Sequence, residues 1–212
     1  MIRSAGRISA YATFVVLVAY LPILILGLLS LKSPLDPIGD PYFCILEVLI
    51  VVVAPLMVIA MAAVYSYASP QAKGYGLIAL VFMTIMAGIT SSVHFIILTV
   101  SRQIEVAGFS GTSFLFSFKW PSVAYTTDIL AWDLFFALSM LFAAAIFSKG
   151  RLEKAVRISM IVSGVLSLIG IFGIPFLNET PIVRNVGIIG YAGVSMVVFL
   201  LLGVAFGRHS KE

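Results

Sequence analysis

The chain has 212 residues, of which 61% are hydrophobic and only 10% charged, and its formal net charge is +4. A water-soluble domain carries about a quarter charged residues, and this chain would leave more apolar surface in water than a folded domain tolerates; lipid as the solvent removes that conflict. The basic residues flank apolar stretches and are not interleaved with stacking aromatics, so they read as topology signals and exclude nucleic acid as a partner.

Arg3 and Arg7 precede the first apolar run, residues 8–31. A signal peptide begins similarly, but its apolar core is only about 7–15 residues and a small-x-small cleavage site follows. This run is longer and lacks that site, so it reads as a retained first helix. The stretch Lys32 to Pro41 carries three prolines and breaks the helix. The second span covers 42–67 and is closed by Ser69-Pro70. The third covers 75–101, and a long loop follows to residue 121. The fourth covers 122–148 and stops at Lys149-Gly150, the fifth covers 155–177 and stops at Asn178–Pro181, and the sixth covers 184–207. Each run crosses a core of about 30 Å at about 1.5 Å per residue. Barrel strands would be about 10 residues with strict alternation, which these runs lack. The expected architecture is all-α: a polytopic membrane protein forming one domain over 1–212, with six transmembrane helices. The first three spans do not visibly repeat in the last three.

Lysine and arginine counts set the orientation. With the N-terminus inside, Arg3, Arg7, Lys73, Lys149, Arg151, Lys154, Arg157, Arg208 and Lys211 are inner, while Lys32, Arg102, Lys119 and Arg184 are outer. Nine against four satisfies the positive-inside rule and places both termini in the cytoplasm. The small size and the reading of the N-terminus suit a cell membrane of the bacterial or archaeal cytoplasmic type.

Three acidic residues, Glu47, Asp128 and Asp133, and one histidine, His94, fall inside the spans. Each costs about 2.5–3.5 kcal/mol at mid-bilayer on insertion scales, and such groups are default functional candidates. Helical rise puts Glu47 about 7 Å, Asp128 about 9 Å, His94 about 12 Å and Asp133 about 16 Å below the outer ends of their spans. Three helices therefore bring them to similar depth in the outer half. On the third span, Ala87, Thr90, Ser91, His94 and Ser101 form a small and polar stripe; on the fourth, Tyr125, Asp128, Trp132, Phe136 and Ser139 share a face. Asp133 lies about 140° from Asp128 at about 100° per residue, so the two border one space without forming a dyad. Glu47, Thr90, Ser91, His94, Tyr125, Asp128, Trp132 and Asp133 are thus the candidate walls of an outward-opening polar pocket for a ligand or proton.

In the outer loop, Phe114, Phe116, Phe118 and Trp120 recur at every second position, a strand-like period. They are candidates for a lid over the pocket or for an interfacial aromatic belt. Arg102, Glu105 and Lys119 flank them. The glycines of the last two spans, Gly164, Gly170, Gly173, Gly187, Gly190 and Gly193, mark close helix contacts, and these spans read as scaffold. Gly203 and Gly207 make a G-x-x-x-G pair suited to intrachain packing or to a homo-oligomer. Arg184 and Asn185, at the outer start of the sixth span, are within reach of the acidic cluster.

No cofactor motif is present. One histidine without an HExxH pattern or a spaced His pair assigns no metal site, and the single cysteine, Cys44, excludes an internal disulfide. Ser91 and Ser92 neighbour His94 without the nucleophile elbow of a hydrolase. Three function classes remain. The first is a membrane protein that binds or transports a small molecule or lipid. The second is a membrane-embedded enzyme acting on a lipid or isoprenoid, with His94 and a carboxylate as its acid–base pair. The third is a structural or assembly subunit whose polar residues clamp helices together.

Overall fold

The computed structural model describes residues 2–33, 36, 38–101, 103, 113–118, 120–173 and 181–208. Arg102, Glu105, Lys119, the Asn178–Thr180 break and Lys211 lie outside the described residues. Six helices long and apolar enough to cross a membrane are present, and no strand occurs among the described residues. They are α1 (Ile2–Leu29), α2 (Tyr42–Tyr67), α3 (Pro70–Ser101), α4 (Val123–Ala144), α5 (Gly150–Phe172) and α6, built from Pro181–Ile188, Ile189–Val194 and Ser195–Arg208.

The helices extend past the apolar runs where polar end turns are themselves helical. α1 starts six residues before its apolar run and α5 five before. Hydropathy reports contact with hydrocarbon, whereas a helix continues into the interface as long as its terminal groups find partners. At the start of α5 those partners come from Glu153, whose Oε2 accepts the N–H groups of Ser148 and Lys149 at 2.9 and 2.6 Å. Its Oε1 accepts from the Tyr67 hydroxyl at 2.5 Å, which ties the start of α5 to the end of α2.

Each span packs against its neighbours in sequence, and α6 returns to α1, so the six helices close a ring. Its interior is filled by Met57, Met61, Met83, Met86, Met140 and Met160 with Phe136, Phe147, Phe199 and Phe206, all essentially inaccessible. Methionine's unbranched side chain suits the irregular gaps among six helices. The outside is apolar as well: Val15, Leu26, Val52, Leu77, Val81, Phe95, Ile158, Ile169 and Val197 are all exposed. An apolar exterior running along every span is compatible with lipid and not with water.

Short side chains bring helices together at defined points. A Cβ on Gly164 would stand 2.9 Å from the Ala137 carbonyl of α4, and one on Gly173 would stand 2.7 Å from the Val183 side chain. On α6, a Cβ at Gly190 would stand 2.6 Å from the backbone nitrogen of Ser167 in α5. That contact is reinforced by the Ser163 hydroxyl, which donates to the Gly190 carbonyl at 2.8 Å. Gly203 lies against the Tyr11 ring and Gly207 against the Arg7 side chain, so both face α1 of the same chain. Gly193 differs, because its nearest neighbour would be a methyl of Ile189 at 3.9 Å.

Three stretches carry π-helical hydrogen bonding: Ile97–Ser101 at the end of α3, Leu130–Phe136 in α4 and Ile189–Val194 in α6. The strand-like period of the outer loop does not give a strand. Ser113–Phe116 forms a single helical turn instead, because a lone extended segment has no partner for its backbone groups, whereas a helical turn pairs them internally.

Gly190→Val should destabilise the protein by about 1–3 kcal/mol, the usual cost of overpacking, while Gly193→Ala should leave it unchanged or slightly more stable. Thermal unfolding in detergent micelles checks this; equal midpoints for the two variants would rule out the tight α5–α6 crossing.

Candidate functional site

The polar side chains of α2, α3, α4 and α6 meet in one connected cluster near the ends of the bundle opposite the termini. It begins with His94. Its Nδ1 lies 2.7 Å from Glu47 Oε2, and its Nε2 lies 3.4 Å from Asp128 Oδ1. One imidazole is thus held between two carboxylates on two other helices. Asp128 Oδ1 also accepts from the Thr90 hydroxyl at 2.6 Å, and the Trp132 indole N–H donates to Thr90 Oγ1 at 3.0 Å. Thr90 and His94 are one turn apart on α3, and Asp128 and Trp132 one turn apart on α4, so two helical faces zip together through alternate polar groups.

The second half of the cluster is an ion pair. Arg184 Nη1 bonds Asp133 Oδ2, and Arg184 Nη2 donates to the Tyr191 hydroxyl at 2.8 Å. The guanidinium carbon stands 5.8 Å from the centre of the Tyr125 ring and 5.7 Å from that of Tyr191. Tyr191 stacks against Trp132 at 5.3 Å, which joins the two halves.

Burial makes these contacts consequential. The side chains of Glu47, His94 and Arg184 are 7%, 5% and 8% exposed and that of Asp133 is 0%, whereas Asp128, at 13%, is the most accessible of these five. Among the described residues, three buried polar atoms of the cluster find no hydrogen-bond partner: His94 Nε2, Asp133 Oδ1 and Arg184 Nε. Asp133 Oδ1 faces the place where α5 crosses α6. A Cβ on Gly170 would come within 3.0 Å of it and one on Gly187 within 2.9 Å, so both glycines leave room for this carboxylate.

Of the eight candidate wall residues, seven enter the network, and Tyr125 does so through its ring contacts. Ser91 does not: it is half-buried and makes none of these bonds. Five of these side chains bond one another directly: Glu47 to His94, and Thr90 to Asp128 and Trp132. Asp133 pairs with Arg184, which belongs to a span that reads as scaffold in the sequence. α6 therefore contributes an essential member, together with Tyr191. The seven-residue step from Arg184 to Tyr191 is a same-face spacing and is the signal that marks them as a pair. Asn185, one position on, is exposed.

The π segment in α4 explains why Asp133 joins the cluster. A π turn takes more residues than an α turn, so each residue advances by less angle. The five-residue step from Asp128 to Asp133 therefore moves toward one full turn, away from the 140° offset of an ideal helix. Among the lid candidates, Phe118 covers the cluster: its ring centre lies 5.0 Å from that of His94 and 6.0 Å from that of Tyr125. The chain behind it is anchored where the Ser122 hydroxyl donates to the Ser117 carbonyl and accepts the Tyr125 N–H at 3.1 Å. Phe114 and Trp120 are exposed and Phe116 is half-buried.

The arrangement is suited to protons more than to metals. The two carboxylates approach opposite nitrogens of His94, so the oxygen and nitrogen atoms do not converge on one point. Among the described residues no group of three His, Cys, Asp or Glu stands in a metal-holding arrangement. No family model matches this chain, and no curated protein or solved structure is similar to it.

Arg184→Gln leaves Asp133 buried without its cation and should cost about 3–5 kcal/mol. Adding Asp133→Asn should recover part of that loss, since paired residues are not additive. Thermal unfolding of the single and double variants measures the coupling, and strict additivity would show that the two side chains do not depend on each other.

Proposed function

We propose that this is a multi-pass cell-membrane protein that binds or moves a small molecule or lipid, with its polar cluster as the proton- or cation-binding centre. The observation that carries the reading is the charge of the cluster. Among the described residues, Glu47, Asp128 and Asp133 are three carboxylates, and Arg184 is the one permanent cation bonded to them. Even with His94 protonated, these carboxylates outnumber the described cations by one. An unbalanced charge in a low-dielectric interior is costly, so the set is completed by one more proton or by the cationic group of a ligand. Interhelical clamps alone would be satisfied by balanced pairs such as Asp133–Arg184. An acid–base enzyme would need a nitrogen of His94 facing a substrate, and here both nitrogens face carboxylates.

The orientation belongs to the same proposal. Arg184 is buried against Asp133 and is no topology signal, so the lysine and arginine bias sharpens from nine against four to nine against three. With the termini in the cytoplasm, the cluster lies in the outer half of the membrane, Asp128 is its most accessible member, and Phe118 covers it. A bacterial or archaeal cytoplasmic membrane suits the composition.

Trp132 provides a built-in reporter, because its indole N–H is linked through the Thr90 hydroxyl to Asp128. In a Trp120→Phe background, Trp132 fluorescence of the detergent-solubilised protein should change with pH and on addition of small organic cations. Asp128→Asn and Glu47→Gln should retain their helical circular dichroism and lose that response. A wild-type signal indifferent to both pH and cations would sink the reading in favour of a purely structural cluster.

A further inference from the structure

We propose that the face formed by α5 and α6 is a binding site for an anionic phospholipid, at the end of the bundle that carries the termini. Two hollows lie in line there. One is an apolar groove of about 580 Å³ between the helices, lined by Ile158, Val162, Ile189, Gly193, Val197 and Leu201. The other is a cavity of about 180 Å³ at the helix ends, lined by Tyr67, Lys149, Arg151, Glu153, Ala205 and Arg208.

The helical repeat connects them. Ala155 also borders the groove, and Arg151 precedes it by four residues on the same face of α5; on α6, Ala205 of the cavity follows Leu201 of the groove by four, and Arg208 lies one turn further on. The hollows are therefore about one turn, or about 5.4 Å, apart along the same two helices. The groove is open on the lipid side: Ile158, Val162, Ile189 and Val197 are 61%, 40%, 55% and 49% exposed. In a bilayer its occupant is an acyl chain. Gly193 keeps the groove deep, since a Cβ there would meet nothing closer than 3.9 Å.

Charge complementarity selects the headgroup. Lys149, Arg151 and Arg208 border the smaller cavity. Among the described residues that line it, the one carboxylate, Glu153, is committed to the Tyr67 hydroxyl and to the N–H groups of Ser148 and Lys149. Three cations around a hollow at headgroup level, directly above an acyl groove, fit a phosphate on a diacylglycerol. Arginine's planar fork suits phosphate oxygens in particular. The site is remote from the Glu47–His94–Asp128 cluster and independent of it.

The test uses the purified full chain in vesicles of phosphatidylcholine with and without phosphatidylglycerol, reading the thermal midpoint and, after detergent extraction, the lipids retained in native mass spectrometry. Phosphatidylglycerol should raise the midpoint and be retained several-fold over phosphatidylcholine. Arg151→Gln/Arg208→Gln should abolish that preference. Arg3→Gln/Arg157→Gln removes the same charge from elsewhere at this end and should preserve it. Gly193→Leu fills the groove from an open position and should lower retention of either lipid. The proposal is overturned if wild type shows no preference, or if the Arg3/Arg157 variant loses as much as the Arg151/Arg208 variant, which would mean diffuse surface attraction. It is overturned equally if Gly193→Leu retains lipid like wild type, or if soluble glycerol phosphate alone reproduces the whole midpoint shift, which would mean a free anion pocket.

Discussion

Hydrocarbon offers no water to a charged side chain, and the half of this bundle opposite the termini is organised around that constraint. Five ionisable groups sit among apolar residues there, and each meets an opposite charge or an imidazole on another helix. His94 joins α3 to α2 and α4, and Arg184 joins α6 to α4. The ties set the rotation of four helices about their own axes, since turning any of them would strand a charge in lipid. Interhelical polar contacts in membranes contribute little each, but the cost of breaking a charged one is much larger than its net stabilisation. The cluster therefore specifies the arrangement more than it strengthens it.

The remaining packing makes room for that cluster. α4 carries Asp128, Trp132 and Asp133 and is the most enclosed of the spans. Its π segment turns Asp133 toward α5 and α6, where Gly170 and Gly187 let the two backbones approach and leave space for the carboxylate. A side chain at either glycine would meet Asp133 Oδ1 or the facing backbone. The second π segment, in α6, contains Tyr191, which completes the Arg184 contacts. Wide turns at both of these positions agree with the tendency of π-bulges to occur where side chains need unusual placement.

The two ends of the bundle differ in chemistry. At the end opposite the termini the charges are buried, paired across helices and covered by Phe118. At the terminal end Lys149, Arg151 and Arg208 stay exposed around an open hollow, and Glu153 is used to hold α5 to α2. The proposed partners follow from that contrast: a proton or small cation for the buried charges, and a lipid phosphate for the exposed cations above the apolar groove. On that proposal the chain presents two sites of opposite sign at opposite ends of the bundle.

Much of this was legible in the amino-acid sequence. The apolar runs imposed six helices, because a chain in lipid must satisfy its backbone internally. Proline and glycine breaks marked the turns, and helical rise alone placed Glu47, His94, Asp128 and Asp133 at similar depth. What the sequence could not supply was helix rotation and neighbour order. An ideal 100° step set Asp133 apart from Asp128, and which helices each would meet, Arg184 of α6 for the one and His94 of α3 for the other, was decided only by the packing. Arg184 counted among the outer charges and also stood within reach of the acidic cluster, while α6 read as scaffold, because a charge near a helix end looks the same whether it faces water or turns inward. Gly203 and Gly207 suited either a partner chain or a neighbouring helix, and ring closure between α1 and α6 set them against Tyr11 and Arg7. Length and hydropathy determine that a segment spans; which side chains meet inside depends on contacts between segments far apart in sequence, and these exist only once the bundle has closed.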